Sequence, residues 1–410
     1  MFTRPLLEVA DVIDAAGPAF LAEHGNSLST PQRRTLNALA HCRTAALGGH
    51  VEACDRCGFC VIAYNSCRNR HCPKCQGGQA AAWLEREAQA LLPVEYHHVV
   101  FTLPHELSAL ALQNPGVLYG LLMRSASQAL REVAGNPRHL GAEVGVLAVL
   151  HTWGQTLQHH PHVHCVVTGG GLAVDARGKR VEPGRWLSCR PGFFLPVRVL
   201  SAVYRRQFLA GLRQAHAAGE LRCEGRLAEL TDAAALATWL APLAQKAWVV
   251  YSKPPFAGPT TVLKYLARYT HRVAISNSRL QELKDGRVTF RYRDYAHGGK
   301  ERLQTLTGVE FLRRFLQHVL PRGFVKVRHY GLLANGARTT TLAKCRCLLA
   351  LAVAAVLALA ATLAAEVTPT EQGACCPSCG EGRLVWVEDV PRADRRPPSA
   401  ARGVNVKDTS

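Results

Sequence analysis

Val144-Gly-Val-Leu-Ala-Val-Leu-His-Thr-Trp153, Gly154-Gln-Thr-Leu-Gln-His-His-Pro161, His162-Val-His-Cys-Val-Val-Thr168 and Gly169-Gly-Gly171 follow one another without a break in the middle of the chain. The first and third pieces are short apolar runs rich in valine, and the second is polar. This stretch therefore predicts two strands joined by a short turn, with the glycine triplet ending the second. In a strand, residues two apart point to the same face, so the imidazoles of His162 and His164 can reach one metal ion. Paired histidines are also common in ordinary cores and surfaces, so the wider sequence has to decide between the two readings.

Tyr265-Leu-Ala-Arg-Tyr269 lies about a hundred residues further on, within a segment (260–271) that reads as a helix. Residues at i and i+4 share a helix face, so both phenols can enter one pocket. A divalent cation beside two tyrosines suits attack on a phosphodiester, because the cation draws charge from the phosphoryl oxygens and a phenolate can become covalently attached. Lys264, Arg268 and Arg272 repeat along the same helix and are expected to bind phosphates near the scissile bond. Tyr292 and Tyr295, interleaved with Arg291 and Arg293, could stack exposed bases.

Composition agrees with a nucleic-acid partner. Among 410 residues, 49 are Lys or Arg and 30 are acidic, giving a formal net charge of +19. A chain this basic favours a polyanion, and 48% hydrophobic residues suffice for a folded core. No secretory leader pattern opens the sequence, so its 15 cysteines are expected to be reduced thiols in the cytoplasm. Seven of them fall between Cys42 and Cys75, a crowding that in a reducing compartment points to metal.

Cys54-x-x-Cys57 and Cys72-x-x-Cys75 are separated by fourteen residues, close to zinc-ribbon spacing, so one structural zinc is expected on these four thiolates. Cys42, His50, Cys67 and His71 could hold a second. Arg56, Arg68, Arg70 and Lys74 surround these ligands and could grip a DNA backbone. Cys376-Pro-Ser-Cys379 is half a knuckle, with only Cys375 nearby.

Residues 5–47 read as helical, with Ser29-Thr30-Pro31 as a helix start. A helix over 80–92 leads into the strand Tyr96-His-His-Val-Val-Phe-Thr-Leu103. Further helices are expected at 106–134, 197–219 and 309–319, and further strands at 248–251, 288–295 and 324–330. The pattern is α+β with an antiparallel sheet. Four regions are expected: a helical and zinc-ribbon DNA-binding domain (1–92), a nuclease domain (93–281), a basic extension (282–346), and an Ala/Leu-rich segment, half knuckle and disordered tail (347–410). The run at 348–365 is long enough for a membrane candidate, but half of it is Ala, so no membrane association is expected.

The stretches 151–170 and Tyr265-Leu-Ala-Arg-Tyr-Thr-His-Arg-Val-Ala-Ile-Ser276 closely resemble the two-tyrosine HUH transposases of rolling-circle insertion sequences. Cys42-Arg-Thr-Ala-Ala-Leu-Gly-Gly-His50 and Asn65-Ser-Cys-Arg-Asn-Arg-His-Cys-Pro-Lys-Cys75 resemble that family's amino-terminal zinc domain. The likeness runs from about residue 20 to residue 346 and breaks off at the Ala/Leu run.

The resemblance implies an HUH nuclease core with a ferredoxin-like antiparallel sheet that uses Mg²⁺ or Mn²⁺ to cut single-stranded DNA. His162 and His164 would be metal ligands, and Tyr265 and Tyr269 nucleophiles forming a 5′-phosphotyrosine. Gln155 is favoured as third ligand because related nucleases place a polar group there; His151, expected roughly across from His164, competes with it. His159 and His160 are expected in the turn, facing DNA or solvent. A plasmid replication initiator or relaxase would use the same nuclease core, and a non-catalytic zinc-ribbon DNA-binding protein would need only the cysteines.

Overall fold

The computed structural model describes residues 6–75, 83–190, 192–253, 261–262, 273–349 and 375–393. Two helices come first, α1 (Val9–His24) and α2 (Thr30–Ala40). The start of α2 is fixed as its sequence predicts: the Ser29 hydroxyl accepts the Gln32 amide, Gln32 bonds back to the Ser29 amide, and a proline sits in the first turn. A hairpin follows, β1 (Gly49–Cys54) and β2 (Cys60–Tyr64).

The central layer comprises β3 (Tyr96–Thr102), α3 (Ser108–Gln113), α4 (Pro115–Gly135), β4 (Ala142–Trp153), β5 (His159–Ala173), β6 (Trp186–Ser188), α5 (Val197–Ala217), α6 (Ala233–Gln245) and β7 (Val250–Ser252). A second sheet contains β8 (Leu280–Lys284), β9 (Arg287–Asp294) and β10 (Lys300–Thr307). After it come α7 (Gly308–Leu316), β11 (Val327–Gly331), α8 (Arg338–Leu348) and β12 (Leu384–Val390).

Strand order in the central sheet is β11-β4-β5-β3-β7, with β6 on the far end of β5, and every pairing is antiparallel. The expected α+β class with an antiparallel sheet is what the chain adopts. Strand periodicity divides the sheet's faces. Val146, Ala148, Leu150, Val163, Cys165, Val167, Val99 and Phe101 all turn into one large core beneath α4, α5 and α6. Leu147, Val149 and Val166 point the other way, against residues 84–92, Leu332, Leu333, Leu342 and Cys345. His151, His162 and His164 share the parity of this second face and lie at its end. The glycine triplet does not end β5 but lets it continue: a Cβ on Gly171 would lie 2.0 Å from the Glu143 carbonyl, so only glycine permits that close approach.

A separate core joins α1, α2, β8–β10 and α7 around Phe20, Phe290, Phe311 and Phe315. Residues expected to form an amino-terminal domain and a carboxyl extension thus share one apolar interior. Leu157, in the turn between β4 and β5, plugs into the same core with no exposure. Its backbone is left-handed at φ +61°, which costs a non-glycine residue about 1–2 kcal/mol. Burial of a leucine side chain contributes about 1.5–3 kcal/mol, so the conformation is affordable there. His318, itself buried, fixes this turn: its Nε2 donates to the Leu157 carbonyl at 3.0 Å and its Nδ1 accepts from the Thr152 hydroxyl at 3.2 Å.

Burial holds several imidazoles neutral. His318 is pushed down to about 4, His97 to about 4 and His159 to about 3, in each case chiefly by desolvation. In the unfolded chain they protonate as the pH falls through their ordinary value near 6.5, while the folded protein still refuses the proton. Stability is therefore full above that value and declines as the pH falls toward about 4, by about 1.4 kcal/mol per pH unit for each such group. His97, stacked on Phe194 with its Nε2 unpartnered among the described residues, is the cleanest test. Urea denaturation at pH 7 and pH 5 should show His97→Phe nearly unchanged at the higher pH and about 1–2 kcal/mol more stable than the parent at the lower. An equal pH dependence in both proteins would remove His97 from the explanation.

No helix among the described residues is long and apolar enough to cross a membrane. Most of the Ala/Leu run at 348–365, and the tail from residue 394, lie outside the described residues.

Candidate functional site

Strands β3, β4 and β5 bring four imidazoles to one face of the central sheet. In the β4–β5 ladder His151 lies opposite His162 and Val149 opposite His164; in the β3–β5 ladder Val100 faces His164 and His98 faces Val166. Directly opposed residues of an antiparallel pair share a face, which makes His151, His162 and His164 a cluster. Their potential ligand atoms all lie within 4.8 Å of one another.

The other ring nitrogens are tied down. His162 Nδ1 donates to the His160 carbonyl at 2.7 Å, which puts the ring's lone pair on Nε2. His164 Nδ1 meets His98 Nε2 at 2.9 Å, and burial, with Lys253 and His162 nearby, pushes His98 down to about 3. A neutral His98 accepts the His164 Nδ1 proton, which puts the lone pair of the His164 ring on Nε2. Imidazoles whose second nitrogen is held by a carbonyl or another acceptor are typical of metal ligands, and the donor set fits a divalent transition metal. Trp153 stacks on His151 at 4.7 Å, and Lys326 Nζ lies 5.1 Å from the centre of the indole.

The structure brings His162 and His164 together as expected, with His151 beside them. Gln155 is engaged elsewhere. Its Oε1 accepts the Arg293 amide at 3.5 Å, and it lines a pocket with Arg279, Arg291, Tyr292 and Tyr295. Tyr265, Tyr269, Lys264, Arg268 and Arg272 fall outside the described residues. On either side of them, Val262 is buried with the residues that cover the histidine face of the sheet, and Ile275 is buried with α1 and α2. His98 was not distinguishable in the sequence, because only the inter-strand register reveals its neighbour. His159, expected toward DNA or solvent, is instead hydrogen-bonded to the Ser108 and Tyr119 hydroxyls at 2.5 and 2.8 Å, with its ring packed on helices α3 and α4.

The cysteines group differently from the expected single ribbon of Cys54, Cys57, Cys72 and Cys75. Cys72 and Cys75 join Cys42 and Cys67, while Cys54 and Cys57 meet Cys376 and Cys379. The two CxxC pairs cannot share a site because the hairpin carries Cys54 and Cys57 away to its own sheet, whereas Cys42 and Cys72 are buried against α1 and α2. His50 and His71, offered as ligands of a second zinc, serve other contacts. His50 bonds Glu52 at 2.9 Å and stacks on Trp386, and His71 Nε2 accepts the Leu320 amide at 3.4 Å.

Spacing in the first quartet suits zinc. Cys67 and Cys75 sulfurs are 3.8 Å apart, and a tetrahedron with Zn–S bonds of about 2.3 Å has an edge of about 3.8 Å. Without a cation the thiols compete: hydrogen bonds from Cys67 and Cys72 pull Cys42 down to about 2, while Cys42 pushes Cys67 up to about 12. Two of the neighbouring cations are structural rather than free to bind DNA. Arg70 donates to the carbonyls of Leu320, Pro321 and Phe324, and Lys74 forms a buried ion pair with Glu8 at 2.6 Å.

Residues 145–340, which span the histidine cluster, match the family described as "Putative transposase", and residues 12–103 match the "Transposase zinc-binding domain". The "Putative transposase y4qJ" of Sinorhizobium fredii is 51% identical over 386 residues, covering 93% of this chain and 95% of that protein. The chain belongs to the transposase family. A second relative of the transposase, the "Transposase for insertion sequence element IS801" of Pseudomonas savastanoi pv. phaseolicola, is 29% identical over 77% of this chain and 73% of its own length. No solved structure matches the chain. Both matched families are named for transposition, so the transposase reading stands over the replication-initiator and non-catalytic alternatives.

Proposed function

We propose that this transposase cleaves and rejoins single-stranded DNA through a 5′-phosphotyrosine intermediate during rolling-circle-like transposition. His151, His162 and His164 would hold a divalent cation, Mg²⁺ or Mn²⁺, of which Mn²⁺ suits an all-imidazole donor set better, and Tyr265 and Tyr269 would be the nucleophiles. The observation that carries this reading is the convergence of three imidazoles at one end of the sheet, with the Nδ1 atoms of two of them already engaged. A cation bound there would withdraw charge from the scissile phosphate. Choosing His151 rather than Gln155 as third ligand rests on its position opposite His162.

The chain's own chemistry then balances. A tyrosine phenol loses its proton and its oxygen attacks phosphorus. The phosphorus bond to the 3′ oxygen breaks, and that oxygen leaves with a proton as a 3′-hydroxyl. Reversal by a 3′-hydroxyl on another strand rejoins DNA and releases the tyrosine, so no nucleotide triphosphate is required. A pocket lined by Arg293, Tyr292 and Tyr295 would offer a guanidinium for phosphate and aromatic faces for bases of an unpaired strand, while Arg279 holds the Arg291 and Gln155 carbonyls and Arg291 pairs with Glu301.

Incubation with single-stranded oligonucleotides carrying the element's ends and Mn²⁺, resolved on a denaturing gel, tests this. A covalent protein–DNA band is expected, and it should vanish in the Tyr265→Phe, Tyr269→Phe double variant. Persistence of the band in that variant would mean that another residue is the nucleophile.

A further inference from the structure

We propose that Cys54, Cys57, Cys376 and Cys379 form a second structural zinc site, assembled from the two distant ends of the chain, that clips residues 375–390 onto the amino-terminal hairpin. The matched zinc-binding domain covers residues 12–103 and so contains only half of these ligands.

The site is built as two copies of one turn. In Cys54-Asp-Arg-Cys57-Gly58 the Gly58 amide bonds the Cys54 carbonyl at 3.1 Å, and in Cys376-Pro-Ser-Cys379-Gly380 the Gly380 amide bonds the Cys376 carbonyl at 2.9 Å. Both glycines are left-handed, at φ +70° and +73°, a conformation that costs any other residue strain. Backbone amides point at the sulfurs: Arg56 and Cys57 at Cys54 Sγ (3.4 and 3.5 Å), and Gly382 at Cys379 Sγ (3.3 Å). Such donors stabilise thiolates, which are the form that binds metal.

Across the gap, Cys54 faces Cys379 and Cys57 faces Cys376, each pair with sulfurs 3.7 Å apart. That is well beyond the disulfide length of about 2.05 Å and near the roughly 3.8 Å edge of a tetrahedral zinc–thiolate site. Packing alone does not explain the convergence, since Cys57 is exposed. Gly382 passes so close to the site that a Cβ there would lie 2.2 Å from Cys54 Sγ.

A second, independent feature joins the same two segments. Strand β12 pairs antiparallel with β1, from Gly49 opposite Val390 to Cys54 opposite Leu384, completing the sheet β12-β1-β2. Asp55 and Arg383 exchange two further hydrogen bonds, and Trp386 stacks on His50 at 4.3 Å. The thiols sit at the end of this ladder, where four sulfurs of like charge would repel unless a soft divalent cation neutralised them. The ligand set, four thiolates in a closed shell, is that of structural zinc.

Metal analysis of the reduced, full-length protein tests this apart from any DNA reaction. The parent should carry two zinc ions, and both Cys376→Ser, Cys379→Ser and Cys54→Ser, Cys57→Ser should carry one. Amide hydrogen exchange provides the second measurement: the Cys54→Ser, Cys57→Ser change should accelerate exchange across residues 384–390 at least tenfold, although those residues are over 300 positions away. If a variant does not fold, cobalt(II) titration of the parent replaces it, with two equivalents giving tetrathiolate absorption. One zinc in the parent, two retained after loss of Cys376 and Cys379, unchanged exchange at 384–390, or a Cys54–Cys379 disulfide in freshly reduced protein would each overturn the proposal.

Discussion

Alanine at His151 should lower the rate of strand cleavage by about a thousandfold or more, as should alanine at His162 or His164, while Gln155→Ala should cost less than about tenfold. A bound cation contributes several kcal/mol of transition-state charge stabilisation, and about 4 kcal/mol corresponds to a thousandfold in rate. With the cation held as proposed, removing one of the three imidazoles forfeits most of that, because two hold a divalent cation poorly. The equivalence of His151 with the other two follows from the ladder, in which it stands directly opposite His162, and from the close approach of all three rings. Single-turnover cleavage and Mn²⁺ affinity should be measured on the same variants. The assignment fails if Gln155→Ala matches His162→Ala while His151→Ala keeps its activity and metal. His98→Ala should sit between these extremes, weakening Mn²⁺ affinity about 10–100-fold, as loss of a partner that orients a ligand does.

Loss of zinc from the cysteine quartet proposed to hold it, Cys42, Cys67, Cys72 and Cys75, should unfold the core to which it is attached. Structural zinc sites supply about 10–16 kcal/mol of apparent binding free energy, against a global stability of about 5–15 kcal/mol for an ordinary domain. Cys42 and Cys72 are buried among the side chains of α1, α2, β8–β10 and α7, so the metal-free thiols would sit inside that apolar interior. Cys72→Ala should therefore release zinc, lose protection from hydrogen exchange over α1, α2 and α7, and become aggregation-prone. Cys60→Ser is the matched control, since Cys60 is exposed and belongs to neither quartet. Unimpaired thermal stability of Cys72→Ala after chelator treatment would show that this core stands without metal.

Much of the central sheet was legible because its signals are local. The β4–β5 hairpin, the His162–His164 pair and the Ser29 cap each depend on residues within a turn or a strand of one another. What escaped was long-range. A CxxC pair states that two thiolates lie side by side, but not which other pair completes the shell, and the nearest in sequence proved not to be the nearest in space. His151 was placed approximately but not in register: it opposes His162 instead of His164, because the turn is centred about one residue earlier than a pairing with His164 would need. Strand β12 is rich in β-branched and aromatic residues, Leu384-Val-Trp-Val387, as a strand should be, yet its partner β1 is some 330–340 positions earlier. No period in the sequence encodes that separation.

The pairing of β12 with β1 also sets a timetable for the nascent polypeptide. At translation speeds of about 5–20 residues per second, β1 emerges from the ribosome roughly 15–70 s before β12 exists. Throughout that interval one margin of the hairpin lacks its neighbour, and a bare strand edge invites pairing with another molecule. Copies whose synthesis stops before residue 384 would keep that margin permanently bare, so interrupted genes are expected to yield insoluble protein even where every residue of the histidine cluster is present.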